Sequence, residues 1–165
     1  MKKEKSLYKN KIILLDIDYT IFDTSLFKKT NLEKYELYEE VYDTLQKLSN
    51  LAKLGVFSEG ELAFQKRKLE KTKIEHFFHN EHIHIVLKKD DVIKEILSKY
   101  SKKEKVIIVD DRLLILYEIK KRIPVIYTIW MKRGAYAMNQ TPIEAFNPDA
   151  TVENLQEIIP LIKKV

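Results

Sequence analysis

Four consecutive apolar residues, Ile12-Ile13-Leu14-Leu15, run straight into a carboxylate, Asp16. A short unbroken apolar run of this kind reads as a strand buried on both faces of a parallel sheet. The pattern then changes period. Tyr35, Tyr38, Val41, Tyr42, Leu45 and Leu48 recur every three or four positions and predict an amphipathic helix over 31–50. Lys53 to Phe57 predicts a second strand that ends at Ser58-Glu59-Gly60, and residues 61–71 predict a second helix. Ile83 to Leu87 predicts a third strand, diluted by His82 and His84. Val92, Ile93, Ile96, Leu97 and Tyr100 mark another helix, with Asp90 and Asp91 in its first turn, where the dipole favours negative charge. Val106 to Val109 is the most uniform strand of all and ends at Asp110-Asp111. A helix over 112–122, a strand over 124–129 and a helix over 153–163, bent or ended at Pro160, complete the pattern. Residues 141–149 contain two prolines and predict a loop.

Strands alternating with helices predict an α/β fold around a mainly parallel central sheet. Asp16 and Asp18 follow the first strand, Ser58 the second, and Asp110 and Asp111 a later one. In an open parallel sheet those carboxyl ends face the crevice where ligands bind. The pattern therefore gathers five oxygen-bearing side chains along one edge of one sheet.

Bulk properties narrow the setting. The 165 residues, without repeat or linker, fit one domain over 1–165, with a basic and flexible N-terminus at 1–10. No apolar run approaches the ~20 residues that cross a bilayer, so no membrane is expected. The first apolar stretch is interrupted at once by Asp16 and Asp18, unlike a signal peptide. The absence of cysteine excludes disulfides and thiolate metal sites, and a cytoplasmic address is the expectation. The net charge of +5 suits anionic partners, nucleic acid among them. Lysine is spread over the whole chain, however, and no block interleaves dense basic residues with aromatics, so solvated helix faces are the favoured reading. His76, His79, His82 and His84 cluster, but without an evident third ligand they read as a solvated or partly packed edge rather than a zinc site. Trp130, Lys132, Arg133, Gly134 and Tyr136 read as a core-anchored loop with exposed charges.

The acidic edge suits phosphoryl transfer, which asks for a nucleophile, neutralisation of phosphate charge and a proton for the leaving group. Asp16 is the expected nucleophile, through an aspartyl phosphate, and Asp18 the general acid and base. Thr20 is expected to hold Asp18 and its turn, and Ser58 to donate to a phosphoryl oxygen. A lysine at 88 or 89, with Lys89 preferred because it lies nearer the helix start, neutralises charge. Carboxylates repel phosphate, so a hard cation is required between them: Mg2+, held by Asp110 and Asp111 together with Asp16.

Asp16-x-Asp18-x-Thr20 after a strand, Ser58 after a second, a lysine before a helix and Asp110-Asp111 after another strand resemble the four motifs of the haloacid dehalogenase superfamily. The resemblance spans 12 to about 160 and implies a Rossmann-like, three-layer α/β/α sandwich with a small or absent cap. It adds the backbone carbonyl of Asp18 to the metal ligands and implies a helical turn and hairpin flap over 19–27. Two details depart from the family pattern: Lys88-Lys89-Asp90 replaces the frequent Lys-Pro, and Asp110-Asp111 replaces Gly-Asp, making Asp111 the firmer metal ligand. Dehalogenases of the superfamily lack an aspartate at the Asp18 position, so its presence implies a phosphatase acting on a phosphorylated substrate. The competing readings are a non-catalytic binding module on the same fold and a nucleic-acid end-processing phosphatase. A signalling receiver is disfavoured, because there the acidic pair precedes the phosphorylated aspartate.

Overall fold

A computed structural model describes residues 10–100 and 102–165 of the chain. The basic segment expected to be flexible lies outside the described residues, apart from Asn10. Six strands form one parallel sheet: β1 (Lys11–Leu15), β2 (Lys53–Glu59), β3 (Phe78–Val86), β4 (Lys105–Asp110), β5 (Tyr127–Met131) and β6 (Ala150–Val152). Their order across the sheet is β3-β2-β1-β4-β5-β6, and all five pairings are parallel. The direction of winding reverses at β1, which lies between β2 and β4, and such a reversal opens a crevice at the strand ends.

Seven α-helices accompany the strands among the described residues, six between them and the last after β6: α1 (Thr24–Lys29), α2 (Val41–Leu48), α3 (Leu62–Lys71), α4 (Lys89–Leu97), α5 (Leu113–Arg122), α6 (Gly134–Met138) and α7 (Ile158–Lys164). Alternation along the strands divides the core in two. Ile13, Leu15, Leu54, Val56, Ile107 and Val109 pack under α2, α3 and α7. Ile12, Leu14, Phe57, Val106 and Ile108 pack under α4 and α5. These are the three layers of an α/β/α sandwich. Ile12 to Leu15 are wholly buried, and each such side chain contributes roughly 1.5–3 kcal/mol relative to exposure.

Several expected elements are corrected. The helix expected over 31–50 occupies only Val41–Leu48. Asn31 and Leu32 adopt left-handed backbone angles that end α1, and Tyr35 leaves helical periodicity to pack its ring against Phe22 and Phe27. The strand expected over 124–129 is displaced to Tyr127–Met131, and Pro124 stays in the preceding turn. Pro160 neither bends nor ends the last helix: it is the third residue of α7, where its missing N–H has no intrahelical partner to lose. The histidine-bearing strand β3 is the sheet edge, as its polar composition suggested, and His84 Nε2 lies 2.7 Å from Tyr100 Oη. Opposite it, Gly55 is indispensable, because an added Cβ would stand 2.4 Å from the carbonyl oxygen of His82. No helix among the described residues is long and apolar enough to cross a membrane.

The turn after β1 is tied to the far end of the chain. Arg133 donates to Glu40 Oε1 at 2.7 Å and to the carbonyl of Thr20 at 2.8 Å, and the Leu155 N–H donates to the same Glu40 oxygen at 3.0 Å. Burial opposes ionisation of Glu40, but the N–H bonds and the Arg133 charge outweigh it and hold the carboxyl below its ordinary range. A folded pKa below the unfolded one stabilises above the ordinary carboxylate value and ceases to do so as pH falls through the folded value. Glu40→Gln is therefore expected to cost about 2 kcal/mol at neutral pH. Denaturant titrations should show the gap between the two proteins closing as pH falls below the ordinary carboxylate range.

Candidate active site

Asp16 follows β1 directly, and its backbone N–H still donates to the carbonyl of Val109 on β4 at 2.9 Å. The chain then turns tightly, with the N–H groups of Thr20, Ile21 and Phe22 all directed at the carbonyl of Ile17. Tyr19 takes a left-handed conformation in this turn, with φ 57°. The flap beyond it is small. Phe22 bridges Leu37 in antiparallel fashion, and α1 with its Asp23 cap stands beside it. No larger insertion separates β1 from α2.

Lys89, the first residue of α4, is wholly buried. Its ammonium group donates to Asp16 Oδ1 at 2.8 Å and makes a short contact to Asp110 Oδ2. Asp110 Oδ1 accepts the Arg112 N–H at 2.8 Å, so both of its oxygens are engaged. Lys88, the alternative lysine, is exposed and faces Asp91. Asp16, Asp110 and Asp111 each bring one carboxylate oxygen to within 4.8 Å of the others. Of the expected site residues, the fold brings these three and Lys89 together.

Electrostatics follow from this crowding. Burial pushes Asp16 up to about 6; Lys89 opposes the shift, while Asp110 and Asp18 add to it. Asp111 is pushed up to about 9 by burial and by the charges of Asp110 and Asp16. Burial alone would lower the Lys89 pKa, but the two carboxylates prevail and hold it raised. The cluster thus carries more negative charge than its own cations balance, and every donor is oxygen. That donor chemistry fits a small hard cation such as Mg2+.

Asp18 is held apart from this cluster. Lys68 Nζ donates to both its oxygens at 2.7 and 2.8 Å, Gln65 Nε2 at 2.8 Å and Thr24 Oγ1 at 2.6 Å. Burial would raise its pKa, but the Lys68 charge and these hydrogen bonds bring it below the ordinary value. The expected support from Thr20 is corrected: Thr24 makes the bond, and the Thr20 hydroxyl is buried without a partner among the described residues. The Ser58 hydroxyl is likewise buried and unpartnered, near the carboxyl end of β2.

Four further groups were not anticipated in these roles. Gln65 and Lys68 lie on the inward face of α3, and Thr24 opens α1. Glu59 accepts the Lys89 N–H at 2.8 Å and Arg112 Nη1 at 2.9 Å, linking β2 to the starts of α4 and α5. The one available signal was on α3, where polar residues occupy the positions i and i+3 that apolar periodicity reserves for the core. Arg112, directly after the acidic pair, pairs with Glu59 and stands 3.9 Å from Asp110. A cavity of about 150 Å3 opens here, lined by Asp16, Asp18, Tyr19, Glu59, Asp111, Arg112 and Tyr136.

The three-layer parallel sandwich is also the fold of solved haloacid dehalogenase-like hydrolases. A hydrolase of that type from Burkholderia xenovorans superposes with a TM-score of 0.76 at 17% identity, covering 94% of this chain and 98% of the other. The HAD-hydrolase YfnB of Bacillus subtilis, solved bound to magnesium, gives 0.67 at 13% identity over 93% and 99%. The L-2-haloacid dehalogenase of Xanthobacter autotrophicus gives 0.64 at 12% identity over 93% and 98%. The likeness is one of fold. No protein-family model and no curated protein matches the sequence.

The raised pKa of Asp111 has a measurable consequence. A carboxyl whose folded pKa exceeds its unfolded value costs stability as pH rises from the unfolded toward the folded value. The metal-free protein should therefore lose thermal stability between about pH 4 and pH 9. Asp111→Asn should flatten that slope in melting curves recorded with chelator. Added Mg2+ should raise the melting temperature of the parent protein at pH 8 and leave the variant nearly unmoved.

Proposed function

We propose that the chain is a phosphatase of the haloacid dehalogenase superfamily that hydrolyses phosphate monoesters through an aspartyl phosphate on Asp16, with Mg2+ as cofactor. The observation that carries this reading is the buried Lys89 ammonium joined to Asp16 and Asp110 beside Asp111. Asp16, Asp111 and the carbonyl of Asp18 would hold the cation, with Asp110 alongside. When bound, the cation neutralises the phosphoryl oxygens and screens them from the carboxylates.

The chain's own residues account for the rest. An Asp16 oxygen forms a bond to phosphorus as the bond to the leaving oxygen breaks, and the electron pair departs with the leaving group. Lys89 and Ser58 stabilise negative charge on the phosphoryl group. Water then attacks phosphorus, its proton passes to Asp18, and Asp16 recovers its carboxylate as inorganic phosphate forms. The 150 Å3 cavity suits the phosphoryl group, so the organic part of the substrate extends past Tyr19 and Tyr136.

Asp18, held charged, gives up a proton only after taking one. Leaving groups that depart as anions therefore suit this site best. The kcat/KM for aryl phosphates is expected to exceed that for alkyl phosphates by at least about a hundredfold, the lower end of what a placed proton donor contributes.

Purified protein should release p-nitrophenolate from p-nitrophenyl phosphate in the presence of Mg2+, and Asp16→Asn should abolish the release. Turnover that survives in Asp16→Asn would move the nucleophile elsewhere. Chloride release from 2-chloropropionate without any phosphate release would assign the dehalogenase reaction of the Xanthobacter neighbour instead.

A further inference from the structure

The Asp18 carboxylate is gripped from two sides by residues that have no other part in the proposed reaction. From α3 come Lys68, bidentate at 2.7 and 2.8 Å, and Gln65 at 2.8 Å; from α1 comes Thr24 at 2.6 Å. We infer that Lys68, Gln65 and Thr24 are positioning residues, which fix Asp18 where it accepts the proton of the water that hydrolyses the aspartyl phosphate. This inference rests on the phosphatase reading of the site.

The grip is built, not incidental. The Lys68 ammonium is nearly buried and sits over two aromatic faces, 4.8 Å from the Phe64 ring centroid and 5.2 Å from that of Phe22. Gln65 is anchored a second time, donating to the carbonyl of Glu59 at 2.8 Å. Gly60, at φ 149°, leaves the room this requires, since a Cβ there would stand 2.7 Å from Gln65 Nε2. Thr24 is also engaged twice: the Tyr19 N–H donates to its oxygen at 3.2 Å. Side chains from two helices thus converge on one carboxylate, with Thr24 itself steadied by the turn after β1, and Asp18 lines the cavity beside Asp16.

Stability alone does not explain this expenditure. A buried ion pair contributes about as much as a well-packed apolar pair of the same volume, so a merely structural α3 could carry aliphatic residues at 65 and 68. A general base, by contrast, has to lie within hydrogen-bond reach of its water, and a displacement of about 1 Å costs on the order of a hundredfold. Four polar contacts restrain the carboxylate in both rotation and translation.

The two halves of the reaction separate the positioning role from a structural one. p-Nitrophenolate leaves as an anion, so forming the aspartyl phosphate from its ester needs no proton from Asp18, whereas hydrolysing that intermediate needs a placed base. Rapid-mixing kinetics with p-nitrophenyl phosphate and Mg2+, with acid-quenched phosphoenzyme quantified, would compare the parent with Lys68→Met, Thr24→Val and Thr24→Ser. Circular dichroism would confirm that each is folded, and Thr24→Val guards against a Lys68 variant that is not. Lys68→Met and Thr24→Val should show a burst near one equivalent per enzyme, then a steady rate at least about tenfold below the parent, with a lower KM. Thr24→Ser, which keeps the hydroxyl, should return to the parent's behaviour. A slower rate with neither burst nor accumulated phosphoenzyme would overturn the inference and leave the phosphatase reading standing. A parent protein that releases no p-nitrophenolate would overturn both.

Discussion

One buried ammonium group organises the carboxyl ends of the central strands. Lys89 lies at the start of α4, so the packing of that helix on the sheet decides where its charge sits. A lone buried charge is strongly unfavourable, and the carboxylates of Asp16 and Asp110, at the ends of adjacent parallel strands, compensate it. Removing either side would leave charge unpaired in the interior, at a cost of about 3–5 kcal/mol. The same contact sets the direction of Asp16 and occupies one oxygen of Asp110, and burial beside these two carboxylates is what resists ionisation of Asp111.

The groups around this contact divide the labour by charge. Asp16 and Asp111 are crowded and pushed upward in pKa, a state that a cation relieves. Asp18 has a cation of its own in Lys68 and is shifted the opposite way. Environments that drive similar carboxylates apart are how one site assigns them different work. Glu59 ties the two regions together: its side chain holds the start of α4 and Arg112, and its carbonyl accepts from Gln65, which grips Asp18. The crowding is destabilising in itself, and the two apolar layers that sandwich β1 and β4 offset it.

The sequence displayed the scaffold unevenly, for physical reasons. β1 and β4 were legible because a strand buried on both faces must be apolar throughout, and their closing carboxylates interrupt that pattern sharply. The order Asp16, Ser58, Lys89, Asp110-Asp111 was legible for the same reason, since each residue stands at an element boundary. The helix read over 31–50 was too long because Tyr35 and Tyr38 continue a helical period while their rings serve a loop. β6, with three residues, is too short to display any period. Lys68 stands with Gln65 and Leu69 on the core side of the helical period, but in the run Gln65-Lys66-Arg67-Lys68 that single signal is diluted by solvated neighbours. Thr24 was concealed by the turn, whose tight winding brings residue 24 to Asp18 in place of Thr20.

The most direct test of the account is a crystal structure of the protein with Mg2+ and beryllium fluoride, a mimic of the phosphoryl group. A phosphatase with Asp16 as nucleophile should carry the fluoride complex on an Asp16 oxygen, touched by Lys89 and Ser58, with the metal held by Asp16, Asp111 and the Asp18 carbonyl. A mimic bound to any other side chain, or a metal bound away from Asp16 and Asp111, would contradict it.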